Sequence, residues 1–191
     1  MGFADRETVQ RVELFMKDFN LEPEERPVVQ PAREAAVTAP VETRDYERGN
    51  EGIFCGAALE LKNGKIITGS NSSLMHAATS MVLHAIKHLA EIPDKIKLLP
   101  PQITDSVKNL KTEILDEKSV SLDLEEALIA ISISATNNPA AQLALEKLRE
   151  LRDCEAHMTH IPTPGDEAGL RRLGINLTTD PNFSTNDLFI T

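Results

Sequence analysis

Hydroxyl and amide side chains cluster in the run GSNSS at residues 69–73, immediately before a helix that the sequence predicts. Helix N-termini present unpaired N–H groups and the positive end of the helix dipole, which favour phosphate or carboxylate groups. The same side chains could instead serve only to cap the helix. The candidate ligand-binding residues of this run are Ser70, Asn71, Ser72 and Ser73.

Two further candidates carry imidazole side chains. His76 lies near the start of the same predicted helix, and His160 follows a predicted strand and precedes Asp166. Ligands of open α/β sheets bind near the carboxyl ends of strands, where His160 or Asp166 could act as an acid or a base. The alternative is a rigid turn in which Asp166 assists the next helix N-terminus. Spacing alone assembles no Ser-His-Asp or Cys-His catalytic set.

A metal site is the third kind of chemistry to consider. His84 and His88 are four residues apart, which places two imidazoles on one helix face and suits a metal pair. Ordinary, partly buried histidines on an apolar helix are the alternative, and we favour it. The sequence contains neither H-E-x-x-H nor G-x-x-x-x-G-K-S/T. We therefore predict no bound metal and no cofactor.

The composition indicates which classes of partner are unfavourable and in which cellular compartment the protein is expected. Thirty Asp and Glu residues against twenty Lys and Arg residues give a net charge of −10, which repels nucleic acid and anionic membranes. Cys55 and Cys154 are the only cysteines, and both lie in apolar stretches, so we predict buried free thiols. No apolar window of about 18 residues and no signal peptide occurs. These features predict a cytoplasmic protein.

Residues 1–50 are predicted to form an N-terminal helix and an extended arm or linker. Apolar residues recur at helical spacing through about residues 5–19, which indicates an amphipathic helix. The segment after it is rich in Pro, Glu and Arg and has little periodicity, apart from a short helix predicted at 31–36. Because such an arm rarely packs on itself, we expect a partner or a further domain to cover it.

Residues 51–191 are predicted to form an α/β domain. Two strands at its beginning flank Asn63-Gly64, a pair that readily takes the positive φ angles of a tight hairpin turn. The long helix that follows the serine-rich run carries a wide apolar face, so we expect it to be covered on most sides.

The later segments alternate between strands and helices. Strands are predicted at 95–99, 154–161 and 175–179, and helices at 102–114, from 139 onward and at 166–173. Residues 124–135 fit a helix with a capping box of Asp123 and Glu126, although their alternating Ile and Ser residues also fit a strand. We favour the helix, inside a helical insertion at about 115–151. The order of elements implies a largely parallel sheet with helices on its faces.

Three stretches resemble a known bacterial family. They are GAALELKNGKIITGSNSSLMHAA, LIAISISATNNPAAQLALEKLRELRDCEAHMT and RRLGINLTTDPNF. They look like the C-terminal part of the uncharacterised domain-of-unknown-function family 1846, whose members are typically much longer. The resemblance implies a C-terminal piece of a larger protein. Some members carry an ATP-dependent peptidase label, which the motifs of this sequence do not support.

The order of strand, Asn-Gly hairpin, strand and helix is also similar to cytidine-deaminase-like domains. This resemblance implies a three-layer α/β fold, with a mixed sheet and helices on both faces. In those enzymes a His or Cys at the helix start binds zinc, and the Glu two residues later moves protons. Here His76 matches, but Ala78 replaces the Glu. Residues 101–105 and 139–143, which could supply further ligands, contain no cysteine, so we expect the deaminase chemistry to be absent.

These observations predict a non-catalytic binding or assembly domain of a larger bacterial cytoplasmic protein. We expect self-association or contact with a missing N-terminal domain, and neither nucleic acid nor membrane as a partner. The alternative is part of an enzyme that acts on a small polar or phosphorylated metabolite. In that alternative, further residues come from the missing N-terminal region.

Overall fold

The computed structural model describes residues 5–42, 49, 52–117 and 119–184, and for 38–42 it describes the backbone alone. The helices that it describes are α1 (Arg6–Asp18), α2 (Val29–Glu42), α3 (Ala77–Leu89), α4 (Pro101–Asn109), α5 (Leu124–Ser134), α6 (Pro139–Lys147) and α7 (Pro164–Leu173). The strands are β1 (Gly56–Glu60), β2 (Ile66–Ser70), β3 (Glu155–Met158) and β4 (Asn176–Thr179). The predicted α/β class is confirmed.

The four strands form one mixed sheet in the order β2-β1-β3-β4. β1 runs antiparallel to both β2 and β3, whereas β3 and β4 are parallel. The predicted hairpin and the mixed sheet are confirmed. The expectation of a largely parallel sheet is wrong for the described strands, because β1 lies between two neighbours that both run opposite to it.

The hairpin turn differs in detail from a two-residue turn. Leu61 and Lys65 close a three-residue loop through a 2.9 Å backbone hydrogen bond, and Gly64 takes a φ of +80°. The amide of Gly64 also donates to the carbonyl of Leu61 at 2.8 Å. Only Gly64 of the Asn63-Gly64 pair has a positive φ, which is typical of a turn with a bulge at its last position.

α3 lies on one face of the sheet and forms the centre of the main core. Met81, Val82, Ala85 and Ile86 are completely buried, which confirms that the helix is covered on most sides. β2 approaches its backbone closely, because a Cβ atom on Gly69 would lie 2.2 Å from the amide nitrogen of Met81. The strand-hairpin-strand-helix order behind the deaminase resemblance is present, and that resemblance itself stays a prediction.

The helix begins later than the serine-rich run, so the prediction that these serines cap it is wrong. Its N-cap is His76. Ser72 instead closes a turn, with its hydroxyl oxygen accepting hydrogen bonds from the amides of Leu74 and Met75 at 3.2 Å each. Met75 then pairs with Leu122 in an isolated parallel bridge. This bridge holds residues 72–75 in extended and turn conformations.

α2 covers the opposite face of the sheet. Val28, Ala32 and Ala58 form a small buried cluster between this helix and β1. The helix contains the short segment predicted at 31–36 and is much longer than expected. The segment predicted to be an extended arm is therefore helical over Val29–Glu42 and packs on the sheet. Together with α3 on the other face, α2 completes the predicted three-layer arrangement. The boundary at residue 50 stays a prediction.

The predicted strand at 95–99 is wrong. Leu98 and Leu99 are buried, but the segment is irregular. Side chains bind its backbone carbonyls: Ser134 Oγ donates to Leu98 at 2.6 Å, and Asn138 Nδ2 donates to Lys97 at 3.1 Å. Apolar burial at a loop therefore produced a pattern that resembles a short buried strand.

The remaining expected elements are confirmed. α5 is a helix with the Asp123–Glu126 capping box, and the strand alternative for it is excluded. α4 continues into a wider helical turn at Leu110–Ile114, and α7 ends at Gly174, which has a φ of +74°. Cys55 and Cys154 are buried free thiols, as predicted.

α1 is amphipathic, as expected, but its apolar face is not buried against the rest of the described chain. Across Arg6–Asp18, all of which the structure describes, no residue is buried. Val12 and Phe15 are about half exposed or more, at 51% and 60%. Among the described residues, no helix is both long and apolar enough to cross a bilayer.

Candidate functional site

A cavity of about 270 Å³ lies where α3 and α7 begin and where β3 ends. Five residues identified by the sequence analysis line it: Asn71, Ser72, His76, His160 and Asp166. Its other polar walls come from Cys55, from Ser119 and Ser121, from Thr163 and from Ser184. The fold therefore gathers residues from five separate parts of the chain around one small space.

The central feature of the cavity is a hydrogen bond between a histidine and a buried carboxylate. His76 Nδ1 lies 2.7 Å from Asp166 Oδ2. Asp166 is 2% exposed, whereas the His76 side chain is 23% exposed. Within the described part of the chain, His76 Nε2 has no hydrogen-bond partner. This ring edge is therefore available to a ligand.

Asp166 is held at a point where three helices begin. It lies in the first turn of α7, and its Oδ1 accepts a 2.9 Å hydrogen bond from the amide of Leu124, the first residue of α5. Thr163, the N-cap of α7, donates its hydroxyl to Asp166 Oδ2 at 2.9 Å. His76 is the N-cap of α3. The carboxyl group is therefore fixed in one orientation between the starts of α3, α5 and α7.

The surroundings of His76 change its acidity in opposing ways. Burial disfavours the charged imidazolium and by itself would lower the pKa. The hydrogen bond and the negative charge of Asp166 oppose this effect, and the pKa of His76 is raised above its usual value. Asp123 raises the pKa further, and Lys111 lowers it. The pair therefore favours a protonated ring that offers its Nε2–H to the cavity.

His160 occupies the same cavity in a different environment. Its Nδ1 lies 2.8 Å from the hydroxyl of Thr159, and no hydrogen bond to its Nε2 is found among the described residues. Burial lowers the pKa of His160, and Asp180 opposes this only in part. Between the pKa values of the two rings, His160 is therefore neutral while His76 is protonated.

Cys55 lines the cavity, but it is not an activated nucleophile. The residue is 5% exposed, and burial, followed by the charge of Asp166, raises the pKa of its thiol to about 12. A nucleophilic cysteine needs a lowered pKa. Asn71 has a structural role beside it, because its amide oxygen binds the Cys55 amide at 2.8 Å and its Nδ2 binds the Ile53 carbonyl at 3.0 Å.

The other sequence candidates lie elsewhere. Ser70 is at the end of β2 and Ser73 is exposed, and neither lines the cavity. Since α3 begins at Ala77, residues 70–73 do not present a helix N-terminus to a ligand. Whether any of them binds a ligand stays a prediction.

The metal candidates do not form a ligand set. His84 and His88 are exposed on α3 and line a different, shallow depression. In the described segments, no three His, Cys, Asp or Glu side chains are grouped to hold a metal. His76 Nδ1 is engaged by Asp166. The side chains present therefore do not fit a zinc site of the deaminase kind, which needs three protein ligands.

Sequence reasoning missed several groups around the cavity. Ser119 and Ser121 share a 2.9 Å hydroxyl–hydroxyl hydrogen bond. Lys111 is buried beside them, with Nζ 3.0 Å from the Ser121 carbonyl and 2.9 Å from Glu126 Oε1. A local signal existed only for Thr163, since Thr-Pro with Asp three residues after the Thr is typical of a capped helix start.

A larger cleft of about 650 Å³ lies between α7 and β4. Leu170, Leu177 and Ile161 form much of its wall, and its Glu167 and Arg171 pair with each other. Asp153, its other acidic residue, is exposed. The His76 cavity is the candidate site because it combines a partly buried histidine with a buried carboxylate.

Comparisons with known proteins identify relatives of the whole chain. A family model described as "Domain of unknown function DUF1846, C-terminal" matches residues 24–189. UPF0371 proteins from Clostridium botulinum strain Eklund 17B and Clostridium tetani strain Massachusetts are 44% and 43% identical over 188 residues. One from Clostridium botulinum strain Langeland is 42% identical over 189 residues. Each match covers 98% of this chain and 36% of the relative, so the chain spans about a third of these relatives' length.

Proposed function

The chain belongs to the family described as DUF1846, C-terminal, and we propose that it is the small-molecule-binding domain of a longer cytoplasmic protein. The ligand occupies the cavity at His76. The observation that carries this proposal is the His76–Asp166 hydrogen bond of 2.7 Å, which fixes the imidazole and leaves Nε2 without a partner among the described residues.

The dimensions of the cavity support a small ligand. Pockets for drug-sized ligands measure about 300–1,000 Å³, and this cavity of about 270 Å³ lies just below that range. Met158, Ala77 and Ile161 give it apolar walls. Such a site suits a metabolite with a short carbon chain better than a nucleotide.

The polar groups support a ligand that carries acceptor oxygens. A protonated His76 donates from Nε2. The Ser119–Ser121 pair on the wall uses only one of its two hydroxyl hydrogens internally, so the other can be donated to a ligand. Carbonyl, carboxylate and phosphate oxygens all accept such hydrogen bonds. A fixed donor of this kind gives orientation as well as affinity.

Four probes test the proposal: acetate, inorganic phosphate, dihydroxyacetone and dihydroxyacetone phosphate. We expect at least one of them to shift the imidazole ¹⁵N resonances of His76 in NMR spectra without shifting those of His84. We also expect His76→Gln to abolish that binding and His84→Gln, on the same helix, to leave it unchanged. No binding by any of the four, or equal binding by His76→Gln, would contradict the proposal.

A second candidate function is assembly, and the exposed apolar side of α1 favours it. α1 lies outside the matched domain at 24–189, whereas the relatives match 98% of the chain and therefore include α1. We infer that the apolar face around Val12 and Phe15 packs against the rest of the longer protein.

Hydrogen exchange tests the assembly proposal. In the 191-residue chain we expect the amides of α1 to exchange quickly, because the helix buries none of its described residues. In the full-length relative from Clostridium tetani, the matching helix should exchange slowly. Substituting an Asp at the position that corresponds to Phe15 should restore fast exchange. Equally fast exchange in the unchanged full-length protein would exclude this contact.

A further inference from the structure

Two histidines in the cavity are held in the same way, each by its Nδ1. His76 Nδ1 lies 2.7 Å from Asp166 Oδ2, and His160 Nδ1 lies 2.8 Å from Thr159 Oγ1. We propose that these rings form an acid–base pair that catalyses proton transfer on a small carbonyl compound with a C–H bond next to the carbonyl group. This inference rests on the proposed function, because the same cavity must first bind the compound.

The contacts of Thr159 are compatible with the tautomer of His160 that the proposal requires, in which Nδ1 carries the hydrogen. The Thr159 hydroxyl accepts a 2.9 Å hydrogen bond from the amide of Gly56 and reaches the Gly56 carbonyl at 3.3 Å. With the hydroxyl hydrogen donated to that carbonyl, the oxygen accepts from Nδ1–H of His160. Nε2 then carries the lone pair, and His160 becomes the general base.

The contacts of His76 give it the complementary role. Asp166 accepts the Nδ1–H and stabilises the positive charge of the imidazolium, so Nε2–H faces the cavity as an acid. Asp166 touches the ring from its buried side and acts as a positioning residue.

The electrostatic directions agree with this assignment. The pKa of His76 is raised, while burial lowers the pKa of His160. Between these two pKa values, one ring is protonated and the other is neutral at the same pH. Pairs of groups whose surroundings push their pKa values apart are typical of acid–base sites.

The reaction balances without a cofactor. His160 Nε2 takes the proton from the carbon next to the carbonyl, and the C–H electrons form a carbon–carbon double bond. The carbonyl π electrons move to oxygen, which takes the Nε2 proton of His76 and gives an enol. If that carbon bears a hydroxyl group, His160 can return its proton to the former carbonyl carbon. The hydroxyl then gives its proton to His76, so that the product is an isomer.

A covalent reaction at the cavity is less well supported. Cys55 is the nearest thiol to consider, but burial raises its pKa to about 12 and keeps it protonated. The lining hydroxyls of Ser119 and Ser121 bind each other at 2.9 Å. Proton transfer between the ligand and the two rings needs neither group as a nucleophile.

The test is incorporation of deuterium from D₂O into dihydroxyacetone and dihydroxyacetone phosphate, followed by ¹H NMR. We expect the 191-residue protein to accelerate exchange of the CH₂ protons beyond the buffer rate. His160→Gln and His76→Gln should each slow it by about 100-fold or more, the usual size of a general acid or base effect. His84→Gln should leave the rate unchanged. Faster exchange with dihydroxyacetone phosphate than with dihydroxyacetone would show that the site recognises a phosphate group, and the reverse order would show that it does not.

The pH profile separates a positioning role from a structural one. Asp166→Asn keeps an acceptor for the Leu124 amide but removes the charge that raises the pKa of His76, so the alkaline limb of the rate profile, which follows deprotonation of His76, should move to lower pH. Binding without exchange above the buffer rate would refute the acid–base pair and leave the proposed function intact. Absence of binding would refute both.

Discussion

The two faces of the sheet are built differently, although a helix packs on each. On one face, α3 is at the centre of a large apolar core that also includes parts of α5, α6 and α7. On the other face, the described side chains of α2 and of the segment before it bury a smaller cluster with β1, around Val28, Ala32 and Ala58. Ion pairs at the edge of that cluster connect α2 and the segment before it to the sheet. Apolar burial is therefore the main stabilising contribution on the first face, whereas on the second face a smaller apolar contact is supplemented by partly exposed ion pairs.

On each face, a glycine in a strand allows the backbone of the packed helix to approach closely. A Cβ atom on Gly69 would lie 2.2 Å from the Met81 amide of α3, and one on Gly56 would lie 2.0 Å from the Ala32 carbonyl of α2. A side chain at either position forces a helix backbone to move. Since α3 carries the core and α2 does not, the consequences should differ between the two positions.

The largest effect is expected for Gly69→Val. Because α3 is packed on most sides, it has little room to shift, and overpacking should cost about 3 kcal/mol. The melting temperature should fall by about 6–12 °C for a domain of this size. Thr68→Val, at the adjacent exposed position of the same strand, is the matched control and should change little. A Gly69→Val protein with an unchanged melting temperature would show that α3 is not tightly constrained.

Gly56→Val should act locally. Of the α2 side chains that the structure describes, only Val29 and Ala32 are buried, so the helix can move away from the sheet while the core around α3 stays folded. We expect fast amide hydrogen exchange throughout α2 and a loss of global stability of about 1–2 kcal/mol, below that of Gly69→Val. Equal losses of stability in the two variants, with α2 still protected from exchange, would show that both faces belong to one cooperative unit.

The sequence predicted the α3 side better than the α2 side, and the reason is local. The hairpin, the apolar face of α3 and the Asp123–Glu126 capping box are patterns within a few residues, and the structure confirms them. α2 contacts the sheet through small residues such as Ala32, which leave little periodic signal. Its docking depends on partners far along the chain, since Arg33 pairs with Asp180.

The candidate site was predictable only in part. His76, His160 and Asp166 stood out individually because their side chains titrate, and the fold places all three around one cavity. Their convergence could not be derived, because it depends on how α3, α5 and α7 meet. The serine-rich run is not the helix N-terminus that its hydroxyl and amide groups suggested, since Ser72 closes a turn and the helix begins at Ala77.

The pH dependence of stability should have opposite signs at two histidines on the two faces. His76 has a raised pKa, so its stabilising contribution is full below its unfolded pKa of 6.5 and is lost as the pH rises through the folded value. His157, on the α2 face, is 3% exposed, and burial lowers its pKa despite Asp180. As the pH falls, His157 therefore becomes protonated in the unfolded chain at a higher pH than in the folded chain. The free energy of unfolding then decreases as the pH drops below 6.5.

Melting temperatures of His76→Gln and His157→Gln between pH 5 and 8 test this contrast. The decrease in melting temperature caused by His76→Gln should be larger at pH 5 than at pH 8. The loss caused by His157→Gln should shrink toward pH 5, because His157 Nε2 lies 3.3 Å from Asp180 Oδ1 without a well-aligned hydrogen bond and its protonation is disfavoured. Parallel pH profiles for the two variants would contradict the assigned directions.

The smallest effect is expected at the ion pair that docks α2. Arg33 contacts both carboxylate oxygens of Asp180, at 2.9 and 3.0 Å, and also Glu24 at 2.8 Å. Because Arg33 is partly exposed, Arg33→Gln should lower the melting temperature by less than Gly56→Val does.

The loss of stability in Arg33→Gln should decrease when the salt concentration rises from about 0.1 to 1 M, because the Debye length falls to about 3 Å. Arg11→Gln, which breaks an exposed pair with Glu7 on α1, is the matched control and should have almost no effect. Faster hydrogen exchange in α2 of Arg33→Gln, with α3 unchanged, would locate the loss on the polar face of the sheet. A change in α3 instead would show that the ion pair supports the apolar core.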